Sequence, residues 1–142
     1  MKSFIVSLGI IIFGICGLVY QTDMNNYLII SSNLKVLTEE CAATAAISLE
    51  EDEGDISKGE IIFDKDLAER NVNYLVEYNR QSMKCYSNGQ LSLVSLDFYE
   101  PIDENENYSC TVKLKFRSNC DLFRLDSVSK YEIEHESCYE WI

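Results

Sequence analysis

The hydrophobic residues form two patterns along the chain: an uninterrupted apolar segment, followed by a periodic arrangement typical of an amphipathic helix. From Ser3 to Tyr20 there is no charged residue, and an 18-residue helix of this kind spans about 27 Å, enough for the hydrocarbon core of a bilayer. Beyond Tyr20 the apolar residues continue at steps of three, four and seven, without Pro or Gly between Leu18 and Glu53. We therefore predict one continuous helix of about 48 residues. The alternative is an anchor joined by a short linker to a separate helix.

The amphipathic part of this helix carries a predicted packing face. Its members are Tyr27, Leu34, Leu37, Cys41 and Ala45. Small side chains within residues 41–46 allow another helix or a sheet to approach closely. We expect the helix to end near Glu50–Asp55, because acidic groups are unfavourable at a helix C-terminus and Gly54 supplies a stop.

The remainder of the chain predicts a second helix and three strands. Asp66 and Glu69 form a capping-box pattern, which starts a helix over about 67–80. The residues expected to share its face are Leu67, Ala68, Leu75 and Tyr78. Strands are expected over 91–99, 108–117 and 128–136, because polar and apolar residues alternate there. The predicted fold is α+β and pilin-like: a long N-terminal helix and a second helix on a small three-stranded antiparallel sheet.

Charge supports one strand pairing. The second strand places basic residues on its polar face, and the third places acidic residues there. These outward residues are Lys113, Lys115, Arg117, Lys130, Glu132, Glu134 and Glu136. Opposite charges across antiparallel strands each contribute about 0.2–1 kcal/mol, so the two strands are expected to pair.

Five cysteines follow the apolar segment, and a meander sheet suggests their pairing. Its geometry brings Cys85 towards Cys120 and Cys110 towards Cys138, and leaves Cys41 either buried on the helix or paired with another subunit. The alternative is that all five are reduced. Metal binding is disfavoured, because the sequence contains no CxxC pair.

Other candidate chemistry is sparse. Asp103–Asn107 has oxygen ligands at alternate positions but lacks the glycine of a calcium loop, so a solvated hairpin tip is expected. Glu50–Asp55 is expected to be a solvated helix end, and His135, the only histidine, a packed inward residue. No GxSxG, phosphate-loop or HExxH motif occurs. We expect no enzyme, cofactor or metal site, and Trp141 is expected to pack or to close an interface.

Charge and the apolar segment together predict location. The chain has 142 residues and a net charge of -12, which argues against nucleic-acid binding. Lys2 alone precedes the apolar segment, so the N-terminus is placed in the cytoplasm and the rest outside. The predicted organisation is an anchor at 1–22, its amphipathic extension at 23–53, and an extracytoplasmic α+β domain at 54–142. A cleaved secretory signal is the alternative, although residues 14–17 offer a poor cleavage site.

The order of these features resembles a known family. The residues that carry the resemblance are the apolar segment Phe4–Tyr20, the stretch Leu34–Leu49, Val112–Phe116, Asp121–Phe123 and the last strand through Ile133. This plan is similar to TadE-like proteins, minor pseudopilins of the tight-adherence (Flp-type) pilus. The resemblance implies a bacterial envelope subunit that helps to assemble a pilus or a related secretion apparatus, with the membrane and other pilin-like subunits as partners through the N-terminal helix. Other hypotheses are a membrane-anchored extracellular binding or sensor module and a secreted globular protein.

Overall fold

A computed structural model describes residues 2–49, 62–101, 107–119 and 131–141. Its helices are α1 (Lys2–Ala46) and α2 (Lys65–Ser82), and a short 3-10 turn follows at Lys84–Tyr86. Its strands are β1 (Gly89–Tyr99), β2 (Ser109–Ser118) and β3 (Glu132–Glu140), in the antiparallel order β1-β2-β3. The predicted α+β class, with a long helix, a second helix and a three-stranded sheet, is confirmed.

The first helix is continuous over 45 residues. The prediction of one continuous helix is therefore confirmed, but the helix ends at Ala46 rather than near the acidic segment Glu50–Asp55. The chain leaves the helix after Ala46, and Leu49 forms an isolated antiparallel bridge with Phe63. The backbone N–H of Asp64 also donates to the carbonyl of Ser48 at 3.0 Å. These contacts tie the helix end to the start of α2. The acidic segment Glu50–Asp55, near which the helix was expected to end, lies outside the described residues.

The second helix begins two residues earlier than predicted. Asp64, rather than Asp66, is the N-cap, and its carboxylate accepts a hydrogen bond from the backbone N–H of Leu67 at 2.8 Å. Asp66 instead lies in the first turn, where a negative charge is favourable to the helix dipole. Of the four residues expected to share one face of this helix, Ala68 is buried and Leu75 is half-buried, whereas Leu67 (36%) and Tyr78 (60%) are exposed.

The core lies between α1, α2 and one face of the sheet. From α1 the face Leu34, Leu37, Cys41 and Ala45 is buried, and β2 contributes alternate positions. The other buried residues of this cluster include Val72, Val76, Val112, Leu114, Phe116 and Ile133. Each fully buried aliphatic side chain contributes about 1.5–3 kcal/mol through removal of its surface from water.

A bulge in β1 keeps its apolar residues on this inner face. Residues Leu93 and Ser95 pair with consecutive residues of β2, so Val94 is the extra residue of the strand. The bulge shifts the alternation by one, and as a result both Leu91 and Leu96 face the helices. At the start of β1, a side chain on Gly89 would collide with the ring of Phe116.

The outer face of the sheet carries the predicted charge ladder. Lys115 contacts Glu132 at 2.6 Å and Glu134 at 3.3 Å. The two neighbouring pairs are Lys113–Glu134 at 3.2 Å and Arg117–Glu132 at 3.3 Å. The predicted antiparallel pairing of basic and acidic rows is thus confirmed. However, β3 extends four residues further than expected, since it follows β2 back to its first residue and pairs Glu140 with Ser109.

Candidate functional site: the faces of the long helix

The N-terminal half of α1 stands free of the folded domain. Its large apolar side chains are exposed, with Phe4 at 71%, Ile10 at 68% and Phe13 at 82%. Among the described residues, α1 is the one helix long and apolar enough to cross a membrane, and its most apolar window has no buried residue. This segment has the character of a membrane anchor or a signal sequence.

Above this segment, the predicted packing face is covered by the protein's own domain. Leu34, Leu37, Cys41 and Ala45 are each 0–2% exposed. Tyr27 is half-buried, and its ring centroid lies 5.6 Å from that of Tyr131. The helix contacts β2, β3 and α2 on this side. These five residues therefore lie against the chain's own sheet and second helix.

The opposite side of α1 has its own apolar residues, which are not covered by described parts of the chain. They are Leu28 (56% exposed), Ile29 (52%), Val36 (51%) and Ile47 (67%). We call this surface the outward face. A helix turns about 100° per residue, so Val36 points almost directly away from Leu34. Sequence reasoning missed this surface, although residues 29, 36 and 47 repeat at steps of 7 and 11, which keep one helical phase.

A serine and the only histidine join α1 to the edge of the sheet. The Oγ atom of Ser31 lies 3.1 Å from Nε2 of His135, and both side chains are half-buried. His135 faces inward, as predicted, and forms a polar contact between helix and strand. Among the described residues, no carboxylate is hydrogen-bonded to the other ring nitrogen of His135.

The cysteines divide between the core and the surface as free thiols. The register places Cys110 opposite Tyr139 and Cys138 opposite Thr111, so the two cysteines lie on opposite faces of the sheet. The predicted Cys110–Cys138 disulfide is not formed, because a meander brings strand ends together without aligning the side-chain phase. Cys85 is also free and half-buried, whereas its predicted partner Cys120 lies outside the described residues.

Burial controls the acidity of two of these thiols. Desolvation raises the pKa of Cys41 to about 12 and that of Cys110 to about 12. Glu40 and Cys138 respectively add smaller contributions in the same direction. Because the thiolate is the nucleophile and the metal ligand, the raised pKa values favour the protonated, less reactive form of both thiols at neutral pH.

The two acidic segments considered as possible cation sites lie almost entirely outside the described residues. Residues 50–55, and all of 103–107 except Asn107, lie outside the described residues. In the part of the chain that the structure describes, no group of three His, Cys, Asp or Glu side chains is close enough to hold a metal ion. Trp141 is half-buried beside Tyr139, with ring centroids 6.3 Å apart in an edge-on arrangement.

An exposed aromatic pair lies on α2. Tyr74 is 72% exposed and Tyr78 is 60% exposed. Their ring centroids are 6.4 Å apart, with an angle of 21° between the ring planes. Tyrosine combines a large apolar face with a hydroxyl group, so an exposed pair of this kind is suited to contact a ligand or a partner.

Comparisons with known proteins add no family assignment. No protein-family model, no curated protein and no solved structure matches this chain.

Proposed function

We propose that the protein is a membrane-anchored, pilin-like structural subunit that takes part in assembling a tight-adherence-type pilus or a related secretion apparatus. The observation that carries the proposal is the uninterrupted helix α1. Its first half is exposed, and in its second half the described sheet and second helix cover one side. At about 1.5 Å per residue the helix is about 68 Å long, more than twice the hydrocarbon thickness of a bilayer.

Continuity across the membrane boundary favours an anchor over a cleaved signal. The hydroxyl of Thr22 donates to the carbonyl of Leu18 at 2.9 Å, as in an unbroken helix at this level. A retained anchor would hold copies of the protein in one membrane with the same orientation, which raises their effective concentration for lateral contact.

The outward face is the surface that we assign to contacts between subunits. The stripe with the small residues is occupied by the sheet, so a neighbouring helix would contact Leu28, Ile29, Val36 and Ile47. In the proposed mechanism the acidic outer domain keeps the stored subunit soluble above the membrane. All 24 acidic residues and 11 of the 12 basic residues follow Thr22.

Site-specific photo-crosslinking in cells tests this assignment. A photoreactive phenylalanine analogue at Val36 should capture a second helix-bearing envelope subunit. The same analogue at Val94 is the matched control, because Val94 is similarly exposed (49%) but lies on β1. Equal capture from the two positions, or none from Val36 in cells that display the assembled appendage, would contradict the proposal.

Measuring the intact mass of the mature protein distinguishes a retained anchor from a cleaved signal. Retention of the apolar segment in the mature protein is expected under our proposal, whereas loss of about 20 residues at a signal-peptidase site would exclude an anchor.

A second function is a membrane-anchored extracellular binding module, and the exposed Tyr74–Tyr78 pair is the observation that favours it. Replacing both tyrosines by serine separates the two functions. Adhesion or ligand binding should disappear under the binding-module hypothesis, whereas appendage assembly should be unchanged.

A further inference from the structure

One side of strand β3 pairs with no other described strand. The sheet has the order β1-β2-β3, so β3 lies at its edge, and β2 is its one neighbour among the described strands. The strand is 9 residues long, and its register against β2 runs without a break. The unpaired N–H and C=O groups of such a strand can take up a further strand. We call this unpaired side of β3 the open edge.

The hydrogen bonds to β2 fix which backbone groups point to the open edge. The N–H of Ser118 donates to the carbonyl of Tyr131 at 3.0 Å, and the N–H of Trp141 donates to the carbonyl of Tyr108 at 2.9 Å. Alternate residues of an antiparallel strand direct their backbone groups to the same neighbour, so the odd-numbered residues of this segment face β2. The residues that direct both N–H and C=O to the open edge are Glu132, Glu134, Glu136, Cys138 and Glu140.

The same five residues carry their side chains on the outer face of the sheet, where all are exposed and four are acidic. Glu132 and Glu134 form the ion pairs with β2 described above. Neither Glu136 nor Glu140 forms an ion pair with a basic residue in the described part of the chain. A residue that exchanges backbone hydrogen bonds with one of these glutamates also places its side chain beside that carboxylate. Backbone pairing and charge contact at the open edge therefore involve the same positions.

Strand β2 shows which sequence this acidic row accepts. Its outward residues Lys113, Lys115 and Arg117 alternate along the strand. They contact the glutamates of β3 at distances from 2.6 to 3.3 Å. A strand with the same alternation at the open edge would contact the row from its other side. Opposite charges across neighbouring strands stabilise their pairing, whereas like charges oppose it.

The described strands of a second copy do not supply such a sequence. Neither β1 nor β3 contains Lys or Arg. Strand β2 does, but it is already paired on both sides. Pairing between two β3 strands would place their glutamates side by side, which is unfavourable. The open edge therefore disfavours pairing with a copy of itself and favours a basic strand from a different chain.

From this geometry we propose that the open edge of β3 binds an extended segment of another protein by strand addition, and that this segment carries Lys or Arg at alternate positions. Main-chain hydrogen bonds provide the affinity, and the acidic row provides the selectivity. Glu136 and Glu140 receive the basic side chains, since no described cation neutralises them. The site is distinct from the outward face of α1, and it does not depend on whether the apolar segment is retained.

The test measures the binding of fluorescent peptides, each as long as β3, to the full chain in micelles of an uncharged detergent. One peptide alternates Lys with Thr, and its matched control has the same composition with the lysines in one block. Fluorescence anisotropy should show binding about tenfold tighter for the alternating peptide. Methylation of its lysine backbone nitrogens should remove this advantage, because those N–H groups donate to β3. Methylation of its threonine nitrogens should preserve the advantage, because they point away from β3.

Charge reversal tests the protein side of the contact. Glu136→Lys, near the middle of the open edge, should weaken binding of the alternating peptide about tenfold. Glu69→Lys is the matched control, because it makes the same change of charge at an exposed residue of α2 and should alter the binding little. Tryptophan fluorescence of both variants verifies that the domain is folded, and the methylated peptides test the edge on the unaltered protein.

Four outcomes would overturn the inference. Equal binding of the alternating and block peptides would show attraction to the acidic domain without strand pairing. Equal effects of the two sets of backbone methylation would exclude main-chain pairing, and equal weakening by the two charge reversals would exclude the acidic row. A cross-link between the Cys138 thiols of two copies, at the concentration of the binding assay, would assign the edge to a second copy. The helix contacts proposed for α1 are unaffected by any of these results.

Discussion

Replacing Leu34 by alanine tests which side of α1 the domain covers. The side chain of Leu34 is fully buried, and the change removes three carbon atoms from the core. At about 0.8 kcal/mol per buried methylene, the lost transfer free energy is about 2.4 kcal/mol. The cavity left behind adds to this, so a total loss of about 2–5 kcal/mol of unfolding free energy is expected.

Val36→Ala is the matched control two residues away. Val36 is 51% exposed on the outward face. Alanine also has the higher helix propensity, so the change should alter the unfolding free energy by no more than about 0.5 kcal/mol. The comparison therefore separates the covered side of one helix from its exposed side with similar truncations.

Urea unfolding of the full chain in detergent micelles provides the measurement. Trp141, the only tryptophan, lies half-buried at the end of the sheet and reports the loss of tertiary structure by fluorescence. With a slope of about 2 kcal/mol per M, Leu34→Ala should lower the midpoint by about 1–2.5 M, and Val36→Ala should leave it nearly unchanged. Similar shifts for both variants would refute the packing of α1 described above.

Three further predictions use the same unfolding measurement or a labelling experiment. Asp64→Ala should lower the unfolding free energy by about 1 kcal/mol, because it removes the N-cap hydrogen bond of α2. Asp66→Ala should lower it by less. A larger loss for Asp66→Ala than for Asp64→Ala would indicate that Asp66 is the N-cap, as the sequence predicted. Gly89→Ala should cost about 1–3 kcal/mol, since the added methyl group collides with the ring of Phe116 and the backbone carbonyl of Arg117, and an unchanged midpoint would contradict this close packing. Cys138 should react with iodoacetamide at pH 8 in the folded protein, whereas Cys110, whose pKa burial raises to about 12, should react only after unfolding, as peptide mass spectrometry can show. Equal labelling of the two thiols before unfolding would contradict their placement on opposite faces of the sheet.

The sequence predicted those elements whose periodicity is uninterrupted. The apolar and amphipathic parts of α1 share one helical phase, and β2 alternates without a break from Cys110 to Phe116. The charge ladder was predictable for the same reason, because the outward positions of two neighbouring strands carry opposite charges. Local pattern and tertiary packing agree at these positions.

Elements that depend on one local irregularity were harder to predict. Asp64 and Asp66 are both good N-cap residues, and only the tertiary contact of Asp64 with Ser48 distinguishes them. The bulge at Val94 shifts the alternation of β1, which is why this strand appears only mostly apolar in sequence. The cysteine pairing failed similarly, since topology places Cys110 near Cys138 but register decides which way each side chain points.

The candidate site shows a different limit. Periodicity identifies an apolar stripe on a helix, but it does not identify what covers the stripe. The apolar stripe around Leu37 packs against the chain's own sheet. Only once this packing is known can the other apolar residues, such as Val36, be recognised as exposed.

The contact between Ser31 and His135 has a consequence for biosynthesis. These residues are 104 positions apart in the chain, and the last strand supplies part of the surface that covers α1. At about 5–20 residues per second, some 5–20 seconds of synthesis separate the two ends of this contact. For much of that interval the stripe around Leu37 has been synthesised but has no complete sheet to cover it. Each newly made chain therefore passes through a stage in which both sides of its helix are apolar and open, and protection from aggregation at that stage must come from the membrane or from a chaperone.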